Sequence, residues 1–169
     1  MTHIPSLAPL PTPARGVTFR DVLRIAEQLD GLAFAVALLS ERVAKFQPFD
    51  ALVCAEAGGF LFAPYVLLQV GCSRVAIVRR GGKLPPSEPA LLLWNMMGPT
   101  FVASVGDRVV MVDDVLATGK TLAAVVSLVE QCGASMVGAV VVAEFPWHRG
   151  RDAVHRDVGM DSFAAFPGE

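Results

Sequence analysis

The sequence has few charged residues and no cluster of basic ones. Charged residues make up 18% of the 169 residues, hydrophobic residues make up 53%, and the formal net charge is −2. A nucleic-acid-binding domain needs clustered Lys and Arg, so we expect no nucleic acid partner. The high apolar content indicates strands that are buried on both faces, or an interface between subunits.

Long hydrophobic runs are also absent. The longest, residues 32–39 and 133–143, are too short or too rich in glycine to cross a bilayer as a helix, so we expect no membrane partner. Residues 1–15 hold four prolines and lack a basic stretch before an apolar core. They therefore predict a proline-rich N-terminal arm and not a secretory signal.

Cysteine is scarce and its spacing carries no motif. Cys54, Cys72 and Cys132 are isolated from one another, and the sequence contains no C-x-x-C. This pattern argues against a disulfide framework and against a structural zinc site. All three cysteines stand among apolar neighbours, which predicts small core residues in a protein of the reducing cytoplasm.

Short apolar runs alternate with segments of helical periodicity. We predict strands at 51–55, 74–78, 108–112 and 135–143, and helices at 60–70, at 118–132 and within 19–46, the last divided at Gly31. Continuous Val, Ile, Leu and Ala in strands that alternate with helices predict the α/β class, with a parallel sheet flanked by helices. The length predicts one domain, 1–169.

Polar residues follow each predicted strand. Ligands of such sheets bind beyond the carboxyl ends of the strands. These positions hold residues 56–59, residues 79–83, Asp113 with Asp114, and Glu144 with Phe145. Each position carries charge, glycine or both, so we predict the functional site at this edge of the sheet.

The stretch VVMVDDVLATGKT, residues 109–121, carries the most specific chemistry. A turn before a helix offers free backbone N–H groups to a phosphate. A Walker loop would require glycine at position 114, where the chain has Asp114, so we exclude an ATPase or GTPase. Carboxylates accept hydrogen bonds from sugar hydroxyls, so acids followed by this turn predict a ribose 5-phosphate site. The simpler alternative is that Thr118 caps the helix and the aspartates form a solvated turn.

Residues 109–121 resemble the PRPP (5-phosphoribosyl diphosphate) motif of the type I phosphoribosyltransferases. Three further stretches resemble the adenine phosphoribosyltransferases of that family and stand in the family's order: GVTFRD at 16–21, GGFLFAPYVLLQVG at 58–71 and RRGGKLP at 79–85. The resemblance extends from about residue 11 to residue 144. It implies the type I phosphoribosyltransferase fold, a Rossmann-like parallel sheet with a small hood formed by the N- and C-terminal segments.

The resemblance also implies an activity and its participants. Members transfer the 5-phosphoribosyl group from PRPP to a purine and release pyrophosphate, a reaction of purine salvage. Adenine is the purine that we expect. Mg²⁺ is expected to bind together with PRPP. The resemblance implies no direct protein ligand for the ion, and Asp113 and Asp114 are its candidate contacts through water. The small hood and the apolar composition lead us to expect a homodimer.

Site residues follow from the same resemblance. Asp113 and Asp114 are the expected catalytic pair, since carboxylates stabilise an oxocarbenium-like transition state. The expected ribose-phosphate ligands are Asp113, Asp114, Ala117, Thr118, Gly119, Lys120 and Thr121. The expected pyrophosphate ligands are Glu56, Ala57, Gly58, Gly59, Arg79, Arg80 and Lys83. The expected base-binding residues are Thr18, Phe19 and Arg20.

The chain departs from the family pattern in three places. Gly58 and Gly81 stand where the family has arginine, and the lid segment 84–107 lacks the family's Glu-Tyr-Gly. Glu88 is the sole glutamate of that segment and lies between prolines. These departures leave two alternatives open: a catalytically impaired regulatory protein that binds PRPP or a nucleotide, and a phosphoribosyltransferase for another nucleobase.

Overall fold

The structure is a computed structural model that describes residues 22–28, 30–80, 94–96, 103–154 and 157–165. Its strands are β1 Ala51–Ala55, β2 Val75–Arg80, β3 Trp94–Met96, β4 Arg108–Leu116, β5 Ser135–Glu144 and β6 Gly159–Ala165. Its α-helices are α1 Gly31–Ala44, α2 Gly59–Val70 and α3 Lys120–Gln131. Short 3₁₀ helices cover Val22–Glu27, Pro146–His148 and Gly150–Ala153.

The six strands form one sheet in the order β3-β2-β1-β4-β5-β6. Five of them are parallel, and β3 pairs with β2 in the antiparallel direction. The predicted α/β class with a parallel sheet between helices is therefore confirmed. Two strands were not predicted, β3 and β6, and these are the two edges of the sheet.

Each face of the sheet carries one apolar cluster. Because side chains alternate along a strand, Val109 and Met111 of β4 join the cluster that contains α3 residues. Val110 and Val112 join the cluster that contains residues of α1 and α2. The apolar runs read from the sequence are thus strands covered on both faces, as predicted.

The cysteines take the places expected of small apolar residues. All three are free, with Cys54 in the core and Cys72 and Cys132 partly buried against it. Burial raises the pKa of the Cys54 thiol to about 12, so this thiol stays protonated at neutral pH. No helix in the described ranges has the length and hydropathy to cross a membrane.

The end of β4 corrects the sequence prediction. That prediction ended the strand at Val112, but the ladder with β5 continues from Asp113, opposite Val141, to Leu116, opposite Glu144. On the other side, β1 pairs with β4 only as far as Met111. The two aspartates therefore lie inside a strand, beyond the point where its pairing with β1 stops and while its pairing with β5 continues.

Candidate functional site

The turn between β4 and α3 presents backbone N–H groups. Gly119 precedes the helix with φ of 72°, a left-handed conformation that favours glycine, and makes no side-chain cap. The helix begins at Lys120, two residues later than predicted, so the N–H groups of its first turn have no acceptor within the helix. With the helix dipole, they favour an anion at this turn.

A cavity of about 110 Å³ opens beside this turn. All five residues of the predicted phosphate loop line it, from Ala117 to Thr121, and so does Asp113. Met111, Val141 and Met160 give it an apolar floor. The structure thus brings together one of the two predicted acids and the whole predicted phosphate loop around a single space.

The two adjacent acids differ in their surroundings. Asp113 is buried, with 6% of its surface exposed, whereas Asp114 is half-buried. The backbone N–H of Asp114 donates to Asp113 Oδ1 at 3.0 Å. Burial, and then the neighbouring charge of Asp114, raise the pKa of Asp113 well above its usual range. Burial thus disfavours the charged form of this carboxyl group, whereas hydrogen bonds donated by sugar hydroxyls would favour it.

The loop of residues 56–59, between β1 and α2, lies against these acids. A Cβ atom on Gly58 would overlap the carboxylate of Asp114, and one on Gly59 would come within 3.2 Å of Asp113 Oδ1. Asp114 thus occupies the space where a side chain at position 58 would begin. The peptide between Glu56 and Ala57 is cis.

The predicted cation Arg79 pairs with the predicted loop residue Glu56. Its Nε lies 3.3 Å from Glu56 Oε2, and its Nη2 donates to Oε1 at 3.4 Å. Both side chains are half-buried, with 30% and 13% exposed for Arg79 and Glu56. The positive charge expected to face pyrophosphate is therefore offset by a carboxylate from the same side of the site.

Several predicted residues cannot be placed. Arg80 is the last residue of β2, and only its backbone is described. Lys83, Gly81 and Glu88 lie outside the described residues, as do the N-terminal arm and the predicted base-binding residues Thr18, Phe19 and Arg20. Of the lid segment 84–107, the described part is β3 and residues 103–107.

The sequence reasoning missed a polar network behind the phosphate loop. Arg151 donates to both carboxylate oxygens of the buried Glu144, at 2.7 and 2.6 Å, and Ser162 donates to Oε2 at 3.0 Å. The guanidinium of Arg151 and the hydroxyl of Ser162 hold the pKa of Glu144 below its usual range despite burial. The signal in the sequence was a glutamate ending an apolar strand with Gly150-Arg151 shortly after it.

The described residues do not form a cation site by themselves. They contain no group of three or more His, Cys, Asp or Glu side chains placed to hold a metal ion. The carboxylates that line the cavity are those of Asp113 and Asp161, and Asp161 pairs with Lys45 at 3.0 Å, whereas Asp114 follows Asp113 in β4. Two carboxylates suit Mg²⁺ only if other oxygens, from water or a substrate, complete its shell.

Comparisons with known proteins identify the family of this chain. The phosphoribosyl transferase domain family matches residues 22–163. The chain is 37% identical over 150 residues to the adenine phosphoribosyltransferase of Cutibacterium acnes, covering 85% of this chain and 83% of the relative. It is 34% identical over 160 residues to the enzyme of that name from Gluconobacter oxydans, covering 91% of this chain and 87% of the relative.

Solved structures of similar proteins share the whole fold. The adenine phosphoribosyltransferase of Thermoanaerobacter pseudethanolicus superposes with a TM-score of 0.81 at 26% identity, covering 95% of each chain. The Saccharomyces cerevisiae enzyme, solved with adenine and an imino-altritol bisphosphate, gives 0.76 at 30% identity and covers 93% of each chain.

Proposed function

This chain belongs to the family of phosphoribosyl transferase domains, and on that premise we propose that it transfers the 5-phosphoribosyl group of PRPP to adenine. The C1–O bond to pyrophosphate breaks, its electron pair leaves with pyrophosphate, and a C1–N bond forms with a ring nitrogen of the base, whose proton passes to the medium. One observation carries the proposal. In this family member, Asp113 and the turn 117–121 line one cavity at the end of β4.

Asp113, Asp114 and the turn divide the ribose phosphate between them. The carboxylates accept hydrogen bonds from the ribose hydroxyls, and the N–H groups of the turn and the ammonium of Lys120 bind the 5-phosphate. Fixing both ends of the sugar presents C1 to the base, which supplies much of the rate enhancement. The burial of Asp113 and the dipole of α3 support these roles.

In this proposal, the leaving group pyrophosphate binds on the side of the site that is next to β2. The loop of residues 56–59 and Arg79 stand on that side, with Arg80 and Lys83 as further cations. Thr18, Phe19 and Arg20 are proposed for the base because an aromatic side chain can stack on a purine. The pairing of Arg79 with Glu56 makes this half electrostatically weaker than a cluster of uncompensated cations.

Mg²⁺ enters with the substrate in this proposal. Asp113 and Asp114 would hold it through water, and pyrophosphate oxygens would supply most of its ligands. When bound, the ion neutralises charge on the leaving group. We also propose a homodimer, since Tyr65 and Leu68 on α2 are 51% and 74% exposed. Size-exclusion chromatography with light scattering tests the assembly independently of activity.

The experiment that tests the function is an assay of pyrophosphate release from PRPP with a panel of bases. We expect release with adenine in the presence of Mg²⁺ and a large decrease when the ion is chelated. Release with a different base would correct the base and keep the reaction. Binding of PRPP by calorimetry without release from any base would instead indicate a regulatory protein.

A further inference from the structure

The 3₁₀ helix Gly150–Ala153 packs directly behind the phosphate loop. A Cβ atom on Gly150 would overlap the carbonyl oxygen of Ala117, and one on Gly119 would overlap the carbonyl oxygen of Gly150. The backbones of the two segments are therefore in close contact, and each segment has a glycine at the point of contact. The position of Gly150 limits where residues 117–119 can lie.

Arg151 ties this 3₁₀ helix to the sheet. Its guanidinium makes a two-point contact with Glu144, at 2.7 and 2.6 Å, and its Nη1 donates to the carbonyl oxygen of Met160 at 3.0 Å. Glu144 ends β5 and Met160 lies in β6. A planar guanidinium held at three points on two strands fixes both the distance and the direction of the residue that precedes it, Gly150.

The backbone at Glu144 is also held by pairing with β4. It pairs in register with Leu116, the last residue of β4, and the N–H of Phe145 donates to the carbonyl oxygen of Leu116 at 2.9 Å. The hydroxyl of Ser162 donates to Oε2 at 3.0 Å. Glu144 thus joins β4, β5 and β6 at the point where the chain enters the phosphate loop.

We propose that the Glu144–Arg151 pair is a positioning device that holds Gly150 against residues 117–119 and so keeps the phosphate loop ready for a 5-phosphate. This inference rests on the proposed function, since it assigns a phosphate to that loop. Neither Glu144 nor Arg151 lines the cavity beside the loop. Without the pair, the loop gains alternative conformations, and the affinity for phosphate decreases because the bound conformation must be selected from them.

The experiment measures two probes by calorimetry. Ribose 5-phosphate reports the phosphate loop, and pyrophosphate reports the other half of the site. For Arg151→Gln and Glu144→Gln we expect ribose 5-phosphate affinity to decrease by about tenfold, with pyrophosphate affinity unchanged. The double variant should lose little more than either single variant, because one pair carries the effect. Arg151→Lys should recover part of the loss.

Arg149→Gln is the matched control. Arg149 belongs to the same turn and pairs with Asp152 at 2.6 Å, but its side chain is 82% exposed. We expect this variant to bind both probes like the native chain. Thermal melts accompany every variant, and Arg151→Lys serves as the test if Arg151→Gln does not fold.

The outcomes separate the two ideas. A native chain that binds neither ribose 5-phosphate nor PRPP contradicts the proposed function, and the positioning role with it. A native chain that binds both, with Arg151 and Glu144 variants of unchanged affinity, contradicts the positioning role alone. Equal losses for the two probes would mean a general structural role and would also overturn it.

Discussion

The two halves of the proposed site, one for the ribose phosphate and one for pyrophosphate, are built in different ways. The ribose-phosphate half lies on β4 and the start of α3, and a network from β5 and β6 supports it from behind. The pyrophosphate half rests on a loop after β1 and on the end of β2, and its cation Arg79 faces Glu56. One half offers donors and carboxylates to a ligand, whereas the other already satisfies part of its charge internally. On the proposed assignment, this difference predicts that PRPP is held less strongly at the pyrophosphate than at the ribose phosphate.

The largest expected effect comes from Asp113→Asn. Loss of the buried carboxylate should lower PRPP affinity by about 10- to 100-fold, since hydrogen bonds to a charged group are involved. The same change should raise the melting temperature of the empty protein, by about 2–4 °C for each kcal/mol gained. Calorimetry and thermal melts measure the two effects, which have opposite consequences for function and stability.

The pH dependence of stability tests the predicted effect of Asp113 on the melting temperature. Burial raises the pKa of Asp113 in the folded chain. Below the ordinary pKa range of aspartate the group is protonated in both the folded and the unfolded chain. At those pH values it therefore does not lower the free energy of unfolding. As the pH rises from that range through the raised pKa, the cost of the buried charge grows and the free energy of unfolding decreases. Asp113→Asn should flatten this decrease in melts recorded across pH.

Asp107→Asn is the control for that variant. Asp107 lies just before the other end of β4, where its carboxylate pairs with Arg74 at 2.9 Å, and this pairing lowers its pKa. We expect unchanged PRPP affinity and a small loss of stability, the reverse of the result for Asp113. A loss of affinity for both variants would indicate a general effect of charge. It would then not support a specific role for Asp113 in the ribose-phosphate half.

Gly58→Ala should have the next largest effect, because the two halves meet at this residue. The added Cβ would overlap the carboxylate of Asp114, so Asp114 must move away from its present position. We expect ribose 5-phosphate affinity to decrease by about tenfold, the loss of one charged hydrogen bond, and pyrophosphate affinity to change less. Calorimetry with each probe separates the two.

Ala57→Ser provides the comparison for Gly58→Ala, since it adds one atom at an exposed neighbouring position. It should bind ribose 5-phosphate like the native chain, because it adds no atom against Asp114. If Gly58→Ala also binds ribose 5-phosphate normally, then Asp114 can move without consequence, and the acid pair is not arranged by the loop beneath it.

Sequence patterns predicted the parts of this fold that depend on apolar runs. β1 and the end of α2 at Gly71 lie where predicted, because a buried central strand and a left-handed glycine both leave local signals. The edges β3 and β6 were missed because they are not continuous apolar runs. β4 was cut short because polarity shows where carboxylates stand and not where the hydrogen-bond ladder ends.

The arrangement of the candidate site residues was foreseen only where they are close along the chain. Asp113 and residues 117–121 do lie around one cavity, since they are close along the chain and follow one strand. The contacts of Gly58 with Asp114 and of Gly150 with Gly119 join residues distant in sequence. Charge counting also treated Arg79 as available, whereas its partner Glu56 lies 23 residues earlier in the chain. Such pairings depend on which strands are neighbours, which the sequence did not reveal.

The smallest expected effect tests the internal charge of the pyrophosphate half. Glu56→Gln keeps the shape of the side chain and removes the charge that faces Arg79 at 3.3 Å. Because a partly exposed ion pair contributes about 0.2–1 kcal/mol, pyrophosphate affinity should rise by about 1.4- to fivefold. Ribose 5-phosphate affinity should stay constant, and both are measured by calorimetry at fixed Mg²⁺.

Glu27→Gln is the matched control, because it removes an equal charge from an exposed pair with Arg24 in the first 3₁₀ helix, at 3.4 Å. It should change neither affinity. A decrease in pyrophosphate affinity for Glu56→Gln would mean that Glu56 orients Arg79 toward the ligand. In that case the carboxylate belongs to the binding site as a positioning group, and both halves would be prepared for PRPP by the same means, an acid that holds a ligand-binding segment in place.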